Sequence, residues 1–292
     1  MIEKAIAVYL DNSDKIEEEF SWLYKTWLLY SLDKEFDLVV YYSPDAKDRL
    51  EKYTGIKPVE MGAVRYSNVY KFLKSHYFCL DEYSEPLKKY KYLFKTDCDV
   101  FLTKNLKNFT PSKLMIGQGG FYDQTDEKKI NFIKKIAKEL NLTYNNMSGV
   151  GASFFGETRA VLNLVKVQIY LTEYLLLNCF KNKNGIDEES GFHVGISSMI
   201  AGELAVNASF ANQHINLYTL DSKCWESTKI GSDVIHIHAW HSYQTWSKHS
   251  YFNGEYKDKI VNFEDAFDNA SNYCHWIATT PLEKILKIRS II

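Results

Sequence analysis

Two carboxylates one residue apart, Asp97 and Asp99, close the apolar run Tyr92-Leu93-Phe94-Lys95 and stand just before a second one, Val100-Phe101-Leu102. Two negative charges at the end of a buried strand are costly unless something cationic neutralises them. Hard oxygen ligands suit Mg²⁺ or Mn²⁺, so a divalent ion carrying a diphosphate answers that cost. The plainer alternative is a surface turn with two solvated acids, and the core-like flanks argue against it. A second concentration of chemistry lies in Ile235-His236-Ile237-His238-Ala239-Trp240-His241. Strand alternation puts His236 and His238 on one face and the two isoleucines on the other. They are metal ligands or, more plainly, buried rings hydrogen-bonded within a strand. No third nitrogen or sulfur ligand stands near enough in sequence for zinc. Asp187-Glu188-Glu189 sets three acids before a helical pattern, where they serve acid–base chemistry or simply complement the helix dipole.

The surrounding elements have to position these groups. Residues 5–10 are a compact apolar run, a strand, and residues 16–32 carry apolar side chains at helical spacing with Asn12 or Ser13 as N-cap. Residues 36–42 are β-branched and aromatic, and Ser43-Pro44-Asp45 opens a short helix. A helix is expected over 67–80, with Pro86 as punctuation before the Asp-x-Asp strand. Beyond it come a brief strand at 114–117, an amphipathic helix over 127–140 and a small-residue strand at 149–156. A long apolar helix over 160–180, another over 191–205 and a last strand at 234–238 complete the pattern. Gly149, Gly151 and Ser153 allow either a close ligand approach or dense strand–helix packing. Strand–helix alternation in the first half predicts an α/β fold with a mostly parallel sheet, whose ligands sit beyond the carboxyl ends of the strands.

Composition bounds the rest. The chain has 292 residues, 46% of them hydrophobic and 25% charged, with a formal net charge of −2, which gives no reason to expect nucleic acid as a partner. The start of the chain lacks the basic flank and apolar core of a signal peptide, and the apolar stretch around 171–180 is too short to span a bilayer. Five cysteines show no paired spacing, and the five Asn-x-Ser/Thr sites are read as chance in an Asn-rich chain. A cytoplasmic location is expected. No P-loop, GxGxxG, nucleophile elbow or HExxH occurs.

The apolar strand, Asp97-Cys98-Asp99 and Val100-Phe101-Leu102, a third of the way along a strand–helix chain, resemble the DxD signature of metal-dependent GT-A glycosyltransferases. The likeness spans residues 4–256 as an order of elements; the Asp-x-Asp pair and the His-rich strand are its near-motif matches. It implies a GT-A, Rossmann-like domain over 1–256, with a nucleotide half at 1–103, an acceptor half at 104–256, and a helical extension at 257–292 packed on the same domain. It implies Mn²⁺ or Mg²⁺ bound directly by one of Asp97 and Asp99, the other binding it too or contacting the ribose hydroxyls, with His238 completing the shell. His241 would face the diphosphate or the acceptor. Lys248, in a loop after the metal histidine, would close over the diphosphate, and Tyr9, Leu10 and Asp11 would grip base and ribose. Arg65, Lys71 and Lys74, on or near the helix before the motif, would reach the diphosphate. Asp187 or Glu188, rather than Glu189, would be the catalytic carboxylate, a general base on the acceptor hydroxyl in an inverting enzyme or a group near the anomeric carbon in a retaining one. The expected partners are a nucleoside-diphosphate-sugar donor, UDP-sugar favoured, and a glycan or other hydroxyl acceptor. The type expected is a cytosolic bacterial or large-DNA-virus enzyme, in the latter case in the host cytoplasm. Two other readings are a sugar nucleotidyltransferase, whose Gly- and Arg-rich loop after the first strand is missing from residues 10–15, and a non-catalytic binding protein of the same fold.

Overall fold

The computed structural model describes residues 2–180, 185–209, 220–239 and 246–291. In chain order the elements begin with β1 (Lys4–Leu10), α1 (Asp14–Leu29), β2 (Phe36–Tyr42), β3 (Lys57–Glu60), α2 (Lys74–Tyr77) and α3 (Asp81–Lys88). Next come β4 (Tyr92–Lys95), β5 (Val100–Leu102), β6 (Met115–Gln118), α4 (Glu127–Glu139), β7 (Val150–Glu157) and α5 (Thr158–Asn178). The chain ends with α6 (Ser197–Ser209), β8 (Ser222–Lys223), β9 (His236–His238), α7 (Lys248–Phe252), α8 (Ala270–Thr279) and α9 (Leu282–Arg289). The fold is α/β: a mixed, mostly parallel sheet in the order β3-β2-β1-β4-β7-β6, flanked by helices, and a small sheet β5-β9-β8. The chain forms two compact units that interleave along the sequence, residues 1–60 with 96–110 and 218–292, and residues 61–95 with 111–217.

In the first unit β1, β2 and β3 run parallel, with β1 and β2 in register from Lys4 opposite Phe36 to Leu10 opposite Tyr42. Both faces of β1 are buried from Ala5 onward, as an inner parallel strand requires. Trp22 of α1 organises an aromatic core: it stacks on Phe101 at 5.3 Å and meets Trp246 edge-on at 5.3 Å. The buried Lys25 ammonium caps the end of α8 by donating to the carbonyls of Ile277 and Ala278, both at 3.2 Å. Arg289 of α9 donates to both carboxylate oxygens of Asp33 at 2.8 Å. The C-terminal helices thus belong to this unit.

In the second unit β4 and β6 both pair antiparallel with β7, and Phe94 stacks on Phe155 at 5.1 Å. Gly119 and Gly149 allow the ends of β6 and β7 to close: a Cβ on Gly119 would meet the Val150 carbonyl oxygen at 2.1 Å, and Gly149 takes φ +72°. Glu203 of α6 is wholly buried and accepts from the hydroxyls of Tyr122 (2.9 Å) and Tyr144 (2.8 Å), tying two loops to the helix. α5 is long and apolar enough to cross a membrane, with a mean hydropathy of 1.3, yet 56% of that window is buried inside the protein, the pattern of a core helix. It is the long apolar helix expected over 160–180, and as a whole it has the length that the 171–180 stretch alone lacks.

Three expectations need correction. The helix expected over 67–80 is a 3₁₀ turn, Lys71–Leu73, followed by the four-residue α2. Tyr66, at φ +57°, breaks the chain before it, and extended Leu80 breaks it after. Pro86 lies inside α3, where it forfeits a single backbone donor, instead of ending a segment. The helix expected from 191 begins at Ser197, because Gly191 (φ +71°) turns the chain and His193 Nδ1 caps an intervening 3₁₀ turn by accepting from Gly195 N–H at 2.9 Å.

Candidate metal centre

The chain leaves β4 at Lys95 and must cross to the small sheet by Val100. Thr96 N–H donates to the Ala7 carbonyl at 3.2 Å, which holds the start of the crossing beside the middle of β1. Cys98 turns inward, buried, and its thiol donates to the Tyr9 carbonyl at 3.1 Å. Asp97 and Asp99, on either side, are thereby directed away from Cys98. β9 supplies the opposite wall, with His238 paired to Val100 in the ladder and Ala239 N–H donating to the Asp99 carbonyl at 2.9 Å. One carboxylate oxygen each from Asp97 and Asp99 and one ring nitrogen of His238 lie within 4.8 Å of one another. Two carboxylates and an imidazole converging on one point fit Mn²⁺ or Mg²⁺ by ligand type and spacing.

Asp99 is 7% exposed and surrounded by cations: Lys248 Nζ lies 2.5 Å from Oδ2 and His238 Nε2 3.2 Å from Oδ1. Burial pushes the Asp99 carboxyl up, but Lys248 and His238 outweigh it and hold it well below its ordinary value. Burial likewise opposes the charge of His238, and Asp99 and Asp221 reverse that, raising it well above the usual imidazole range. Lys248 also reaches Glu19 Oε1 at 3.4 Å. Burial first, then the Asp99 charge, lift the Glu19 carboxyl to about 7.

The two histidines divide the work. His236 is wholly buried; its Nδ1 accepts from Asp221 N–H at 2.9 Å and its Nε2 donates to Thr96 Oγ1 at 2.9 Å. Burial lowers it to about 4, so it is a neutral structural ring, the plainer of the two readings of the strand. His238 Nδ1 faces Asp221 Oδ1 at 3.3 Å, leaving Nε2 aimed at Asp99. A carboxylate behind the ring nitrogen opposite a metal position fixes the tautomer and raises ligand basicity.

The family model of a domain of unknown function, DUF7164, matches residues 1–278. The chain belongs to that family. Among curated proteins nothing matches it. The match takes in every residue of the centre, from Glu19 to Lys248, so the arrangement lies within the DUF7164 domain itself.

Other expected site residues of this DUF7164 chain fall in varied surroundings. Tyr9 and Leu10 at the end of β1 are buried, Leu10 completely, so that Leu10 offers only backbone; Asp11 is half-buried and accepts from Asn12 N–H at 3.1 Å. Lys248 is not in a loop: it is the first residue of α7, capped by Ser247, with its ammonium held by Asp99 and Glu19. Arg65, Lys71, Lys74, Asp187 and Glu188 belong to the second unit. The Arg65 side chain is 69% exposed, 3.7 Å from Glu173; Lys71 is exposed and Lys74, opening α2, half-buried. Asp187-Glu188-Glu189 do not start a helix: they occupy the turn closed by the Ile186–His193 bridge, where Asp187 accepts from Ser190 N–H (2.7 Å) and Oγ (2.6 Å). Glu188 is exposed, and Glu189 pairs with Lys135 at 2.5 Å. His241 lies outside the described residues.

Glu19 and Asp221 went unnoticed in the sequence. Glu19 ends the run Glu17-Glu18-Glu19 on the buried side of α1, and a carboxylate at a core position of an amphipathic helix is the signal that could have found it. Asp221, wholly buried and at φ +54°, sits in an undistinguished Leu-Asp-Ser context with no comparable signal.

Proposed function

We propose that this protein is a metal-dependent glycosyltransferase of GT-A type, moving a sugar from a nucleoside-diphosphate-sugar, UDP-sugar favoured, to a glycan or other hydroxyl acceptor in the cytoplasm. The observation that carries the reading is the convergence of Asp97, Asp99 and His238 within 4.8 Å at the end of β4, with a lysine ammonium on the same carboxylate. A divalent ion bound there would neutralise the diphosphate and offset the charge that develops on the leaving nucleotide. Asp97, Asp99 and His238 would hold it, with Asp221 orienting the His238 ring. Lys248 balances the buried acids Asp99 and Glu19; with an ion held there, its ammonium would be available to the diphosphate. Tyr9 and Asp11 lie at the neighbouring strand end, suited to the base and ribose. Asp187 or Glu188 would be the catalytic carboxylate on the acceptor side, the general base if the transfer inverts.

The test is incubation with a panel of nucleotide-sugars and Mn²⁺, following release of nucleoside diphosphate with and without glycan acceptors. Metal-dependent release stimulated by an acceptor supports the reading; release of pyrophosphate from a nucleoside triphosphate and a sugar phosphate would replace it with the nucleotidyltransferase. Glu188→Gln should leave donor affinity unchanged and slow transfer by about a hundredfold to ten-thousandfold. Unchanged transfer would remove Glu188 from the mechanism.

A further inference from the structure

A cleft of about 650 Å³ opens in the first unit where α1, α7, α8 and α9 meet the segment 254–261. Its walls are aromatic and its rim is basic. Tyr251 and Phe252 of α7 are half-buried, with rings 73° apart, and Trp22 backs both, at 5.4 and 5.9 Å. Tyr256, also half-buried, stacks on buried Trp246 at 16° between planes. Rings braced from behind in this way present fixed apolar faces and lose little freedom when something packs on them.

Charge narrows the occupant. Lys257, Lys259 and Lys284 line the cleft, against a single carboxylate, Glu18. Glu18 is already engaged, accepting from Trp22 Nε1 at 3.2 Å and the Tyr251 hydroxyl at 3.0 Å. The lining is therefore positive in a chain whose formal net charge is −2. A long polyanion is disfavoured, because exposed Glu255, Asp258 and Glu283 interrupt any basic track beyond the cleft. A short anion with apolar faces is favoured. A pyranose ring has C–H faces to lie against the two tyrosines, since Phe252 stacks on Trp22 and carries the Lys15 ammonium over its ring at 5.4 Å, and a rim of substituents to meet ammonium groups.

We propose that this cleft binds an anionic oligosaccharide of roughly two to three rings, carrying carboxylate or sulfate groups, the size a cleft of several hundred Å³ encloses. The site is distinct from the metal centre yet built on the same two helices. α1 gives Glu19 to Lys248 and Glu18 to Tyr251, and Lys248 and Tyr251 lie one turn apart on α7. The Tyr256 hydroxyl accepts from Ser247 N–H at 2.9 Å, fixing the start of that helix. Binding at the cleft requires no metal.

The test is calorimetric titration of the metal-free full chain with a trigalacturonate, a sulfated trisaccharide, neutral maltotriose and a three-nucleotide single strand. The proposal expects saturable one-to-one binding of a charged trisaccharide, at least about tenfold tighter than maltotriose and weaker at high salt. The carboxylated and sulfated arms decide which anion the lysines prefer. Lys259→Glu with Lys284→Glu, both exposed, should weaken that binding about tenfold or more with melting temperature and Mn²⁺ titration unchanged. No saturable binding of either charged trisaccharide, equal binding by the double variant, or tighter binding of the oligonucleotide would overturn it.

Discussion

Two buried carboxylates are treated in opposite ways. Asp99, in the first unit, is met by an ammonium and an imidazolium and stays ionised far below its ordinary range. Glu203, in the second, is met by two neutral tyrosine hydroxyls; burial outweighs them and raises its carboxyl above its ordinary value. Both are nearly or wholly removed from solvent, so burial does not separate them; the charge of the partners does. A carboxylate kept charged inside a protein, with two more atoms of ligand type beside it, suits the cation proposed above. One that accepts from phenol hydroxyls fastens loops.

The largest effect should fall at Asp99. Asp99→Asn leaves Lys248 and His238 with less compensation and should cost about 3 kcal/mol in urea unfolding. That is the low end for a broken buried pair, because Glu19 and Asp221 still face the two cations. Asp221→Asn, which keeps the size and removes the charge behind His238, should reduce Mn²⁺ affinity about 10–100-fold by calorimetry. His236→Ala should cost stability more than metal affinity, since its bonds run to Thr96 and Asp221 and away from the ligand cluster.

Glu203→Gln should be milder, within about 1 kcal/mol, since an amide oxygen still accepts from both tyrosines. Its pH dependence sharpens the contrast. The folded value of Glu203 lies above the ordinary 4.5, so protonation favours the folded state. That contribution is whole below about pH 4.5 and is lost as pH rises through the raised value. Urea melts across that window should show wild type losing stability relative to Glu203→Gln as pH increases. A gap independent of pH would mean Glu203 does not titrate there. The smallest effect belongs to the exposed Lys135–Glu189 pair, where Lys135→Ala should leave the urea midpoint unchanged.

What was legible in the chain follows from range. β1, β2, α4, β7 and α5 stand where their periodicity puts them, because local pattern and burial agree. Asp97, Asp99 and His238 were legible because an acid pair after a strand and alternating histidines are local patterns. The partners that give these groups their properties are not local: Lys248 lies 149 residues from Asp99 and Tyr122 lies 81 from Glu203. Asp187-Glu188-Glu189 misled because acids before a helical pattern resemble a helix start, while the Asp187–Ser190 turn and Gly191 use them otherwise.

The central claim is most directly tested by calorimetric titration of Mn²⁺ in the presence of UDP, comparing wild type with Asp97→Asn. Asp97 is half-exposed, so the variant should fold, as its melting temperature would verify. The account predicts one Mn²⁺ bound per chain by wild type, strengthened by UDP, and no saturable binding by the variant. A wild type that binds no Mn²⁺, or a folded Asp97→Asn that binds it as wild type does, would contradict it.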